Sequence, residues 1–487
     1  MVRVGWSSSL CLALLLSACA DPAAGSDAGE TSEPGDGDPS GDGDPSGDGD
    51  GDPSGDGDGD GEALRPNWHQ DVAPLVTEAC QGCHVDGGIA PFAMTDYAAT
   101  APWATLMAEA AEAGDMPPWH ALETDECQPA LPYKHDPRLS TEEIQLLRDW
   151  ADLGVPEGDP ALAAPLPEPP DLDLADPTTT ATMATPLAVQ AEGNTLDFVH
   201  CLSLDPGNAE DVYLTGLQVL PGNRAIVHHV LVYVDANAAS ASWPGGVRED
   251  CGGGAGIAGT TQLIAGWVPG GLPMEPPEGV GISVPAGARL ILNVHYHATG
   301  GGAEVDDATG LALRWTTTEP DYTSLFTLIG APGAGSSLTG PLAIPAGASG
   351  HVEEYEYVVS NAGQPFPDSV EARIWAVANH MHKVGVDMRV WVEDRDTAAE
   401  TCLLHTPTWD FDWQRVYEYD ALANEGVRVK AGDKVRIRCE YDNTLANPGV
   451  VEALAELGLT EPIDVSQGEG SLDEMCLTAL GVGIKLP

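Results

Sequence analysis

Short apolar runs separated by glycine and proline fill the chain beyond residue 185, and they constrain its fold more than any other feature. Examples are DVYLTGLQVL, ARLILNVHYH and DKVRIRCEY, none of which has a strong helical period. Short strands that alternate with turn residues are typical of antiparallel sandwiches. Because about 300 residues are enough for two such sandwiches, we predict two all-β, jelly-roll-like sandwich domains at 186–335 and 336–487.

Two adjacent histidines interrupt one of the predicted strands. His228 and His229 lie in AIVHHVLVYV, whose run of valine, isoleucine and leucine predicts a buried strand. Neighbouring side chains on a regular strand point to opposite faces of the sheet. The pair therefore raises the question of what the second imidazole contacts.

Two other strands end in a His-x-His pattern. His295 and His297 share one face of LILNVHYH, and His380 and His382 share one face of ARIWAVANHMH. The second pair could therefore bind one metal ion from a single strand. A single histidine is usually a hydrogen-bonded core residue, but six imidazoles at three strand ends are more than core packing requires. We predict that they bind metal.

The segment at 64–160 carries a different motif. CQGCH at 80–84 has the Cys-x-x-Cys-His spacing of c-type haem attachment. Cys80 and Cys83 would add to the two vinyl groups of one porphyrin, and His84 would lie beneath the iron. A thioredoxin-like dithiol or half of a zinc site is the alternative, but a histidine directly after the second cysteine argues against both. We therefore predict covalent haem c.

The sixth haem ligand is predicted from the sequence around AGDMPPWHA. This stretch resembles the segment of small cytochromes c in which a methionine followed by proline approaches the haem, which favours Met116. Met94 and His120 are the rivals. The later run STEEIQLLRDWADLG opens with a capping box and predicts a helix. We expect a small all-α cytochrome c-like domain at 64–160, followed by a linker at 161–185.

The first residues have the pattern of a bacterial export signal. A basic residue precedes the apolar run LCLALLL, which is too short to span a bilayer, and LSAC ends the segment 1–19 at Cys19. This end resembles the lipoprotein box, in which the cysteine is lipidated; a plain signal peptide with a chance cysteine is the alternative. We expect an exported protein, anchored by lipid alone to a bacterial membrane on its periplasmic or cell-surface side.

The charge of the chain excludes one class of partner. The sequence has 76 acidic and 20 basic residues, a formal net charge of -56, which argues against nucleic acid. Many of the acids lie in the segment 20–63, whose Asp-Gly repeats at 35–62 have no large hydrophobic residue and therefore cannot collapse. Calcium binding is the alternative for these repeats, but nothing in them fixes a coordination loop. We expect a solvated, disordered tether there.

The order of motifs in the second half resembles a known enzyme family. VHHVLVYV, PPEGVGI, LNVHYH, ANHMHKVG, VRIRCEY and SLDEMCL follow one another over about 190–487, with an order and spacing similar to those of the copper type II, ascorbate-dependent monooxygenases. That family includes peptidylglycine α-hydroxylating monooxygenase and dopamine β-monooxygenase. DEMC near the C-terminus is the most telling motif, because it supplies a methionine where the family has one.

The resemblance implies two copper ions, each with three ligands. One copper would be held by His228, His229 and His295, and the other by His380, His382 and Met475. Both adjacent histidines would then bind the same ion, so the strand must end or bulge there. His297 has no counterpart and would either support a ligand or be incidental. Imidazole with thioether favours Cu(I) over zinc; a three-histidine zinc site would leave the second set unexplained.

The resemblance also implies two disulfide bonds. They would join Cys439 to Cys476, next to the methionine ligand, and Cys201 to Cys251. Cys127 and Cys402 have no obvious partner. A bond between them would join two domains, and it is not part of the prediction.

The implied activity is hydroxylation of a C–H bond of a small-molecule substrate with O2. Met475, His380 and His382 would bind the catalytic copper, and the electron donor would be an ascorbate-like reductant, a redox protein or the fused haem. Tethering would raise the local concentration of such a haem. The alternatives are a copper-binding, electron-transferring lipoprotein without hydroxylase activity and a copper-storage module.

One departure from the family concerns the substrate. The peptide-amidating members hold a substrate carboxylate with an arginine and a tyrosine at positions that are Ala378 and Ala479 in this chain. Peptide amidation is therefore not expected, and the substrate is left open. The aromatic residues Trp409, Phe411 and Trp413 could line a pocket or could pack between the sandwiches.

Overall fold

Strands dominate the computed structural model, which describes residues 65–191, 195–259, 261–299, 301–360, 369–468, 470 and 472–485. These residues belong to one unit, Glu62–Pro487. The predicted export signal, Cys19 and the whole tether at 20–63 lie outside the described residues. No helix in the described part of the chain is both long and apolar enough to cross a membrane.

The first twelve strands are β1 (Thr179–Thr182), β2 (Leu187–Val189), β3 (Asp197–Leu204), β4 (Val212–Leu220), β5 (Val227–Asp235), β6 (Val247–Arg248), β7 (Thr261–Trp267), β8 (Val280–Val284), β9 (Arg289–His297), β10 (Glu304–Asp306), β11 (Gly310–Thr316) and β12 (Tyr322–Ala331). The remaining strands are β13 (Ser336–Ser337), β14 (Ala343–Ile344), β15 (Ser349–Val358), β16 (Glu371–His380), β17 (Gly385–Glu393), β18 (Glu400–Thr406), β19 (Tyr417–Glu418), β20 (Val427–Val429), β21 (Lys434–Asp442), β22 (Val465–Ser466) and β23 (Cys476–Lys485).

The helices are α1 (Ala73–Ala79), α2 (Tyr97–Thr100), α3 (Ala104–Ala113), α4 (Thr141–Asp152) and α5 (Pro448–Glu456). A π-helical turn, Trp68–Val72, leads into α1, and short 3-10 turns lie at Ala101–Trp103, Pro160–Leu162, Ala239–Ser242, Pro244–Gly246 and Phe411–Trp413.

One nine-stranded sheet runs through the whole β region. Its order is β1-β11-β4-β8-β12-β23-β16-β19, with β20 also paired to β16. All of these pairings are antiparallel except that of β8 with β12, which is parallel and joins Val280 to Tyr322 and Gly281 to Thr323. The sheet therefore connects the two halves of the β region through one short parallel contact.

Two five-stranded sheets cover the two ends of the long sheet. The sheet β6-β3-β9-β5-β7 packs on its first half and the sheet β13-β15-β21-β17-β18 on its second half. Leu214, Ile282 and Val230 all belong to the first core, and Ile374 and Ile437 both belong to the second. The alternation of buried and half-buried residues along β21 shows why such strands form: one face enters the core and the other stays near solvent.

The predicted fold class is wrong on its helical part. Strands take up 37% of the described residues and helices 16%, and no all-α cytochrome c-like domain is evident among those residues. The helices α1, α3 and α4 do share a small core around Trp68 and Trp150, and α4 begins with the predicted capping box. This core is too limited to make residues 64–160 a separate helical domain.

The segment between α3 and α4 explains the error. Trp119 and Tyr133 are buried in the second sandwich core, where Tyr133 stacks on Tyr419 at 5.4 Å between ring centroids. Leu122 donates a backbone hydrogen bond to the carbonyl of His405 over 3.0 Å. The aromatic residues of this segment are buried against strands that lie nearly 300 residues later, which the local helical pattern cannot show.

Candidate metal centre

A bulge in β5 gathers the first three histidines. His229 lies opposite His295 on the neighbouring strand β9, and the register between the two strands shifts between Val227 and His229. The extra residue turns His228 towards the same side as its neighbour. The ring centroid of His295 is 5.1 Å from that of His228 and 4.6 Å from that of His229. The structure thus brings together the three residues of the first predicted ligand set.

The ring nitrogens of this cluster converge. Nδ1 of His229 lies 3.3 Å from Nδ1 of His228 and 3.3 Å from Nδ1 of His295, and the three residues present ligand atoms within 4.8 Å of one another. Nε2 of His295 donates to Asp197 over 2.9 Å, which leaves its Nδ1 lone pair for a metal. His297 contacts the same Asp197 oxygen at 2.9 Å and supports the carboxylate. Such a carboxylate–histidine contact orients metal ligands in proteins.

Burial keeps two imidazoles of the first cluster, those of His228 and His229, in the neutral form. Burial, reinforced by the neighbouring imidazoles His295 and His297, lowers the pKa of His228 to about 4, and burial lowers the pKa of His229 well below its usual range. His297 differs, because its hydrogen bond with Asp197 raises its pKa. A neutral imidazole keeps the lone pair that a metal ligand needs.

The second cluster forms where β16 ends and β23 begins. His380 is the last residue of β16 and pairs with Leu477 of β23. Strand β23 begins at Cys476, directly after Met475. His382 therefore lies near Met475. The rings of His380 and His382 are 5.2 Å apart, and Met475 is buried at 5% exposure. All three residues line one cavity.

Hydrogen bonds fix the orientation of both rings in the second cluster. Nδ1 of His382 donates to the carbonyl of Asp473 over 3.0 Å, and Nδ1 of His380 donates to the amide oxygen of Gln414. Each ring therefore keeps Nε2 free as a ligand atom. Burial lowers the pKa of His380 to about 3 and that of His382 to about 4. Two imidazoles and a thioether, with no carboxylate among them, fit a copper ion.

Glu474 is a residue of this site that the sequence reasoning missed. Its carboxylate is fully buried and accepts the backbone N–H groups of His382, Val384, Gly385 and Met475. Burial raises its pKa to about 8, although the four backbone donors act in the opposite direction. The available signal was the acid pair Asp473 and Glu474 directly before Met475, next to the start of an apolar strand.

One cavity of about 650 Å³ joins the two clusters. Its walls come from β5, β7 and β9 on one side and from β12, β16 and β23 on the other, and they include Ala378 and Ala479. The ring of Phe411 lies between the clusters, with its centroid 5.4 Å from His228 and 5.8 Å from His382. Among the three aromatic residues proposed for a pocket, Phe411 is the one that lines this cavity, together with its neighbours Asp412 and Gln414.

Comparison with known proteins gives two similar relatives. The human putative DBH-like monooxygenase protein 2 is 25% identical over 229 residues, which cover 45% of this chain and 42% of that protein. The mouse DBH-like monooxygenase protein 2 is 26% identical over 265 residues, 52% of this chain and 38% of that protein. The chain is similar to DBH-like monooxygenases. The predicted resemblance is confirmed at this level.

The matched region spans about two fifths of the length of each DBH-like relative. No family model matches the sequence. Among solved structures, the major capsid protein P2 of bacteriophage PM2 aligns with a TM-score of 0.24 at 8% identity, over 63% of this chain and 97% of that one. The tandem CBM22 domains of Paenibacillus barcinonensis Xyn10C align with a TM-score of 0.15 at 10% identity, over 63% and 94%. Neither score supports an argument about fold or function.

The Cys-x-x-Cys-His motif lies at the end of α1, close to the β region that resembles the DBH-like proteins. Cys80 and Cys83 are free thiols in the described structure, and the backbone N–H groups of Cys83 and His84 both donate to the carbonyl of Cys80, which places the thiols on one turn. Nδ1 of His84 contacts the carbonyl of Phe92 at 3.1 Å, so its Nε2 is free. Burial raises the pKa of Cys80 to about 12. The two thiols and the imidazole of the motif thus lie next to one another on one turn.

The three candidates for the sixth haem ligand lie in different surroundings. Met94 is buried at 4% exposure in the small helical core, and its backbone N–H donates to the carbonyl of His84. Met116 is on the surface with 36% of its area exposed. His120 contacts the carbonyl of Thr408 through Nδ1 at 2.8 Å. Of these three candidates, Met94 is the one whose described hydrogen bonds include a residue of the Cys-x-x-Cys-His motif.

Three disulfide bonds occur in the described residues. Cys201–Cys251 and Cys439–Cys476 confirm the two that the resemblance implies. The third joins Cys127 to Cys402, with 5.4 Å between their Cα atoms, and the sequence prediction left it out. This bond ties the segment between α3 and α4 to β18.

Proposed function

We propose that the protein is a copper-dependent monooxygenase that inserts one oxygen atom from O2 into a C–H bond of a small molecule. The similarity to DBH-like monooxygenases supports the reaction class. The observation that carries the proposal is the pair of histidine clusters, one of them with Met475, facing a single cavity. The cavity lies within the range of volumes that small ligands occupy in proteins.

Copper at these residues would supply one-electron redox chemistry and activation of O2. His228, His229 and His295 would hold one ion, and His380, His382 and Met475 the other. The chain's own contribution is orientation. Asp197, Asp473 and Gln414 each bond one ring nitrogen of His295, His382 and His380, respectively, and would leave the other nitrogen of each ring for a metal.

The reaction consumes two electrons and two protons, since one oxygen atom enters the product and the other leaves as water. We propose that a reductant such as ascorbate, or a redox protein, can supply these electrons. Ala378 and Ala479 leave the cavity wall beside Met475 small and uncharged. The resemblance places the carboxylate-binding pair of the peptide-amidating enzymes at these two positions, so the substrate is not expected to be a peptide held in that way.

The test is incorporation of isotope. The full chain loaded with copper and ascorbate is incubated with labelled O2 and a panel of small organic molecules. We expect substrate-dependent oxygen uptake and a product that has gained one labelled oxygen atom, both lost in His382→Ala. Oxygen uptake that yields only peroxide, with no labelled product from any compound, would instead support the electron-transfer alternative.

We propose further that Cys80, Cys83 and His84 carry a covalent haem that can deliver electrons to the copper sites. The two free thiols on one turn and the free Nε2 of His84 support this proposal. Protein produced with an active cytochrome c maturation system should show the reduced spectrum of a c-type cytochrome. Cys80→Ser and Cys83→Ser should weaken or abolish attachment, and haem-free wild-type protein would overturn the proposal.

Export and lipid anchoring at Cys19 are likewise proposed. Three disulfide bonds support a location outside the cytoplasm, because such bonds persist in oxidising compartments. Labelling of cells with a fatty acid should mark the wild-type protein but not Cys19→Ala. Recovery of both proteins unlabelled would exclude the anchor.

A further inference from the structure

Arg415 is an inward-facing cation without a carboxylate partner. The described part of the chain has many ion pairs, and every other lysine or arginine in it that is not exposed lies within 4.0 Å of an acidic side chain. No described carboxylate lies that close to Arg415. This is unexpected in a chain with 76 acidic residues and 20 basic ones.

The surroundings of Arg415 are apolar and aromatic. Its guanidinium lies 5.4 Å from the ring centroid of Trp119, which is 4% exposed. The indole Nε1–H of Trp119 is buried and has no acceptor among the described residues. Burial lowers the pKa of Arg415, and Asp136 acts on it only from beyond ion-pair distance. An arginine keeps its charge even so, which leaves a partly desolvated charge with the face of Trp119 beside it but with no ion-pair partner.

Arg415 lines the cavity that the two histidine clusters share. It directly follows Gln414, which contacts His380, and its charge acts on the thiol of Cys83. Arg415 therefore lies in the cavity wall and is also close enough to the Cys-x-x-Cys-His motif for its charge to act there. It is distinct from Ala378 and Ala479.

We propose that Arg415 binds the carboxylate group of a molecule that enters the cavity. The planar guanidinium fork matches a carboxylate through two parallel hydrogen bonds. The other cations of the cavity wall, Lys134 and Lys383, are already paired with glutamates. One free guanidinium in a strongly acidic chain therefore suits a single negative charge better than the double charge of a phosphate.

Two molecules could supply this carboxylate. One is a free small-molecule acid, which would extend the proposed function by naming the substrate class. The other is a propionate of a haem attached at Cys80 and Cys83. The binding itself needs no copper, so it can be measured whether or not the protein is a monooxygenase.

The test compares benzoate with its neutral analogue benzamide by calorimetric titration of the full chain without copper. The Cys80→Ser/Cys83→Ser variant, which cannot attach haem, is titrated first. We expect benzoate to bind at least about tenfold more tightly than benzamide, as for a hydrogen bond to a charged group in a partly buried site. Arg415→Gln should remove the preference, and Arg415→Lys, which keeps the charge without the fork, should retain part of it.

Arg428→Gln changes an exposed arginine and should leave the preference intact. Equal binding of benzoate and benzamide by the haem-free protein, or an unchanged preference in folded Arg415→Gln or Arg415→Lys, would overturn the proposal. If an Arg415 variant fails to fold, the binding of benzoate and benzamide to the haem-free protein that keeps Arg415 can still be compared.

Haem-loaded protein then identifies the source of the carboxylate. If the loaded protein binds benzoate as the haem-free variant does, the site serves free acids. If haem loading blocks benzoate, the propionate occupies the site, and Arg415→Lys should also shift the haem potential. Both results support carboxylate binding at Arg415.

Discussion

Glu474 accepts the backbone N–H of His382 over 2.8 Å, although the two residues are 92 positions apart. The same carboxylate accepts the N–H of Met475 over 3.0 Å. One buried side chain thus joins the turn that carries a histidine of the second cluster to the strand that carries its methionine. The sheet alone does not fix this distance, because His382 lies beyond the end of β16.

We expect Glu474→Gln to weaken metal binding at the second cluster. The amide nitrogen of glutamine cannot accept, so part of the backbone bonding is lost while the side-chain shape is kept. Loss of a group that orients metal ligands typically costs about 10–100-fold in affinity. Copper titration followed by electron paramagnetic resonance should show a weaker and altered second site with an unchanged first one. Glu461→Gln, at an exposed carboxylate outside the cavity wall, is the control; equal effects of both variants would contradict the positioning role.

His229→Ala should remove one metal ion and leave the other. The first cluster loses its central ring, whose Nδ1 lies 3.3 Å from both neighbouring Nδ1 atoms, whereas the second cluster shares no ligand with it. Metal analysis of copper-loaded protein should therefore fall from two ions per chain to one. His297→Ala, which removes a contact to Asp197 but no ligand of the proposed set, should keep both. Two retained ions in His229→Ala would show that the ligand set is wrong.

The metal-free protein should lose stability as the pH falls below neutrality. In the unfolded chain the imidazoles of His380 and His382 bind protons near their ordinary pKa of about 6.5. In the folded protein, burial lowers the pKa of His382 to about 4 and that of His380 to about 3. At these two imidazoles the unfolded state binds more protons between these values, so their contribution to the free energy of unfolding decreases as pH falls from 6.5 towards 3. Glu474, whose pKa is raised to about 8, acts in the opposite direction above its ordinary pKa of about 4.3, but it is one group against the several buried imidazoles of the two clusters.

Thermal melts at a series of pH values measure this dependence. His380→Asn should flatten it, because the variant cannot take up that proton on unfolding. His69→Asn, a change outside both clusters, is the control. A melting temperature of the wild type that does not fall between pH 7 and pH 4 would contradict the prediction.

Loss of the Cys127–Cys402 bond should destabilise the protein. The bond closes a loop of 275 residues, and removal of a native disulfide typically costs about 2–5 kcal/mol. Urea denaturation of Cys127→Ser/Cys402→Ser measures the loss, and hydrogen exchange around Trp119 and Tyr133 should rise. The matched control is Cys80→Ser/Cys83→Ser without haem, which removes two unpaired thiols. Equal stability of the two double variants would show that the bond contributes nothing.

The sequence predicted what depends on local pattern. The strands around His229, His295 and His380 follow from apolar runs and turn residues, and the sharing of a face by His380 and His382 follows from the two-residue period of a strand. The bulge at His228 was predicted only through the resemblance, since two adjacent histidines do not reveal a register shift.

What the sequence did not predict depends on contacts between distant residues. Asp197 orients His295 from 98 positions away. The side chain of Trp119, which follows α3, is buried in the second sandwich core, which later strands build. The bond between Cys127 and Cys402 and the parallel contact of β8 with β12 have the same origin. The free energy of such contacts comes from packing in the finished fold, so no short stretch of sequence records them.

The last prediction separates the proposed enzyme from an electron carrier with the same metals. Met475→Ile keeps a similar volume at a buried position, so it should cost less than about 1.5 kcal/mol. The backbone carbonyl of Met475 can still accept the hydrogen bond of Tyr441. Only the thioether is lost. We expect substrate-dependent oxygen uptake and product labelling to disappear while metal at the first cluster is retained.

Met388→Ile is the matched control, because Met388 is buried in the second core and does not line the cavity. It should show a similar change in stability with activity retained. If both variants still form labelled product at the wild-type rate, Met475 has no part in the chemistry. A different outcome is that neither the wild type nor Met388→Ile forms product while both pass electrons from a reductant to O2. The histidine clusters would then serve electron transfer, and the thioether of Met475 would have no hydroxylation to support.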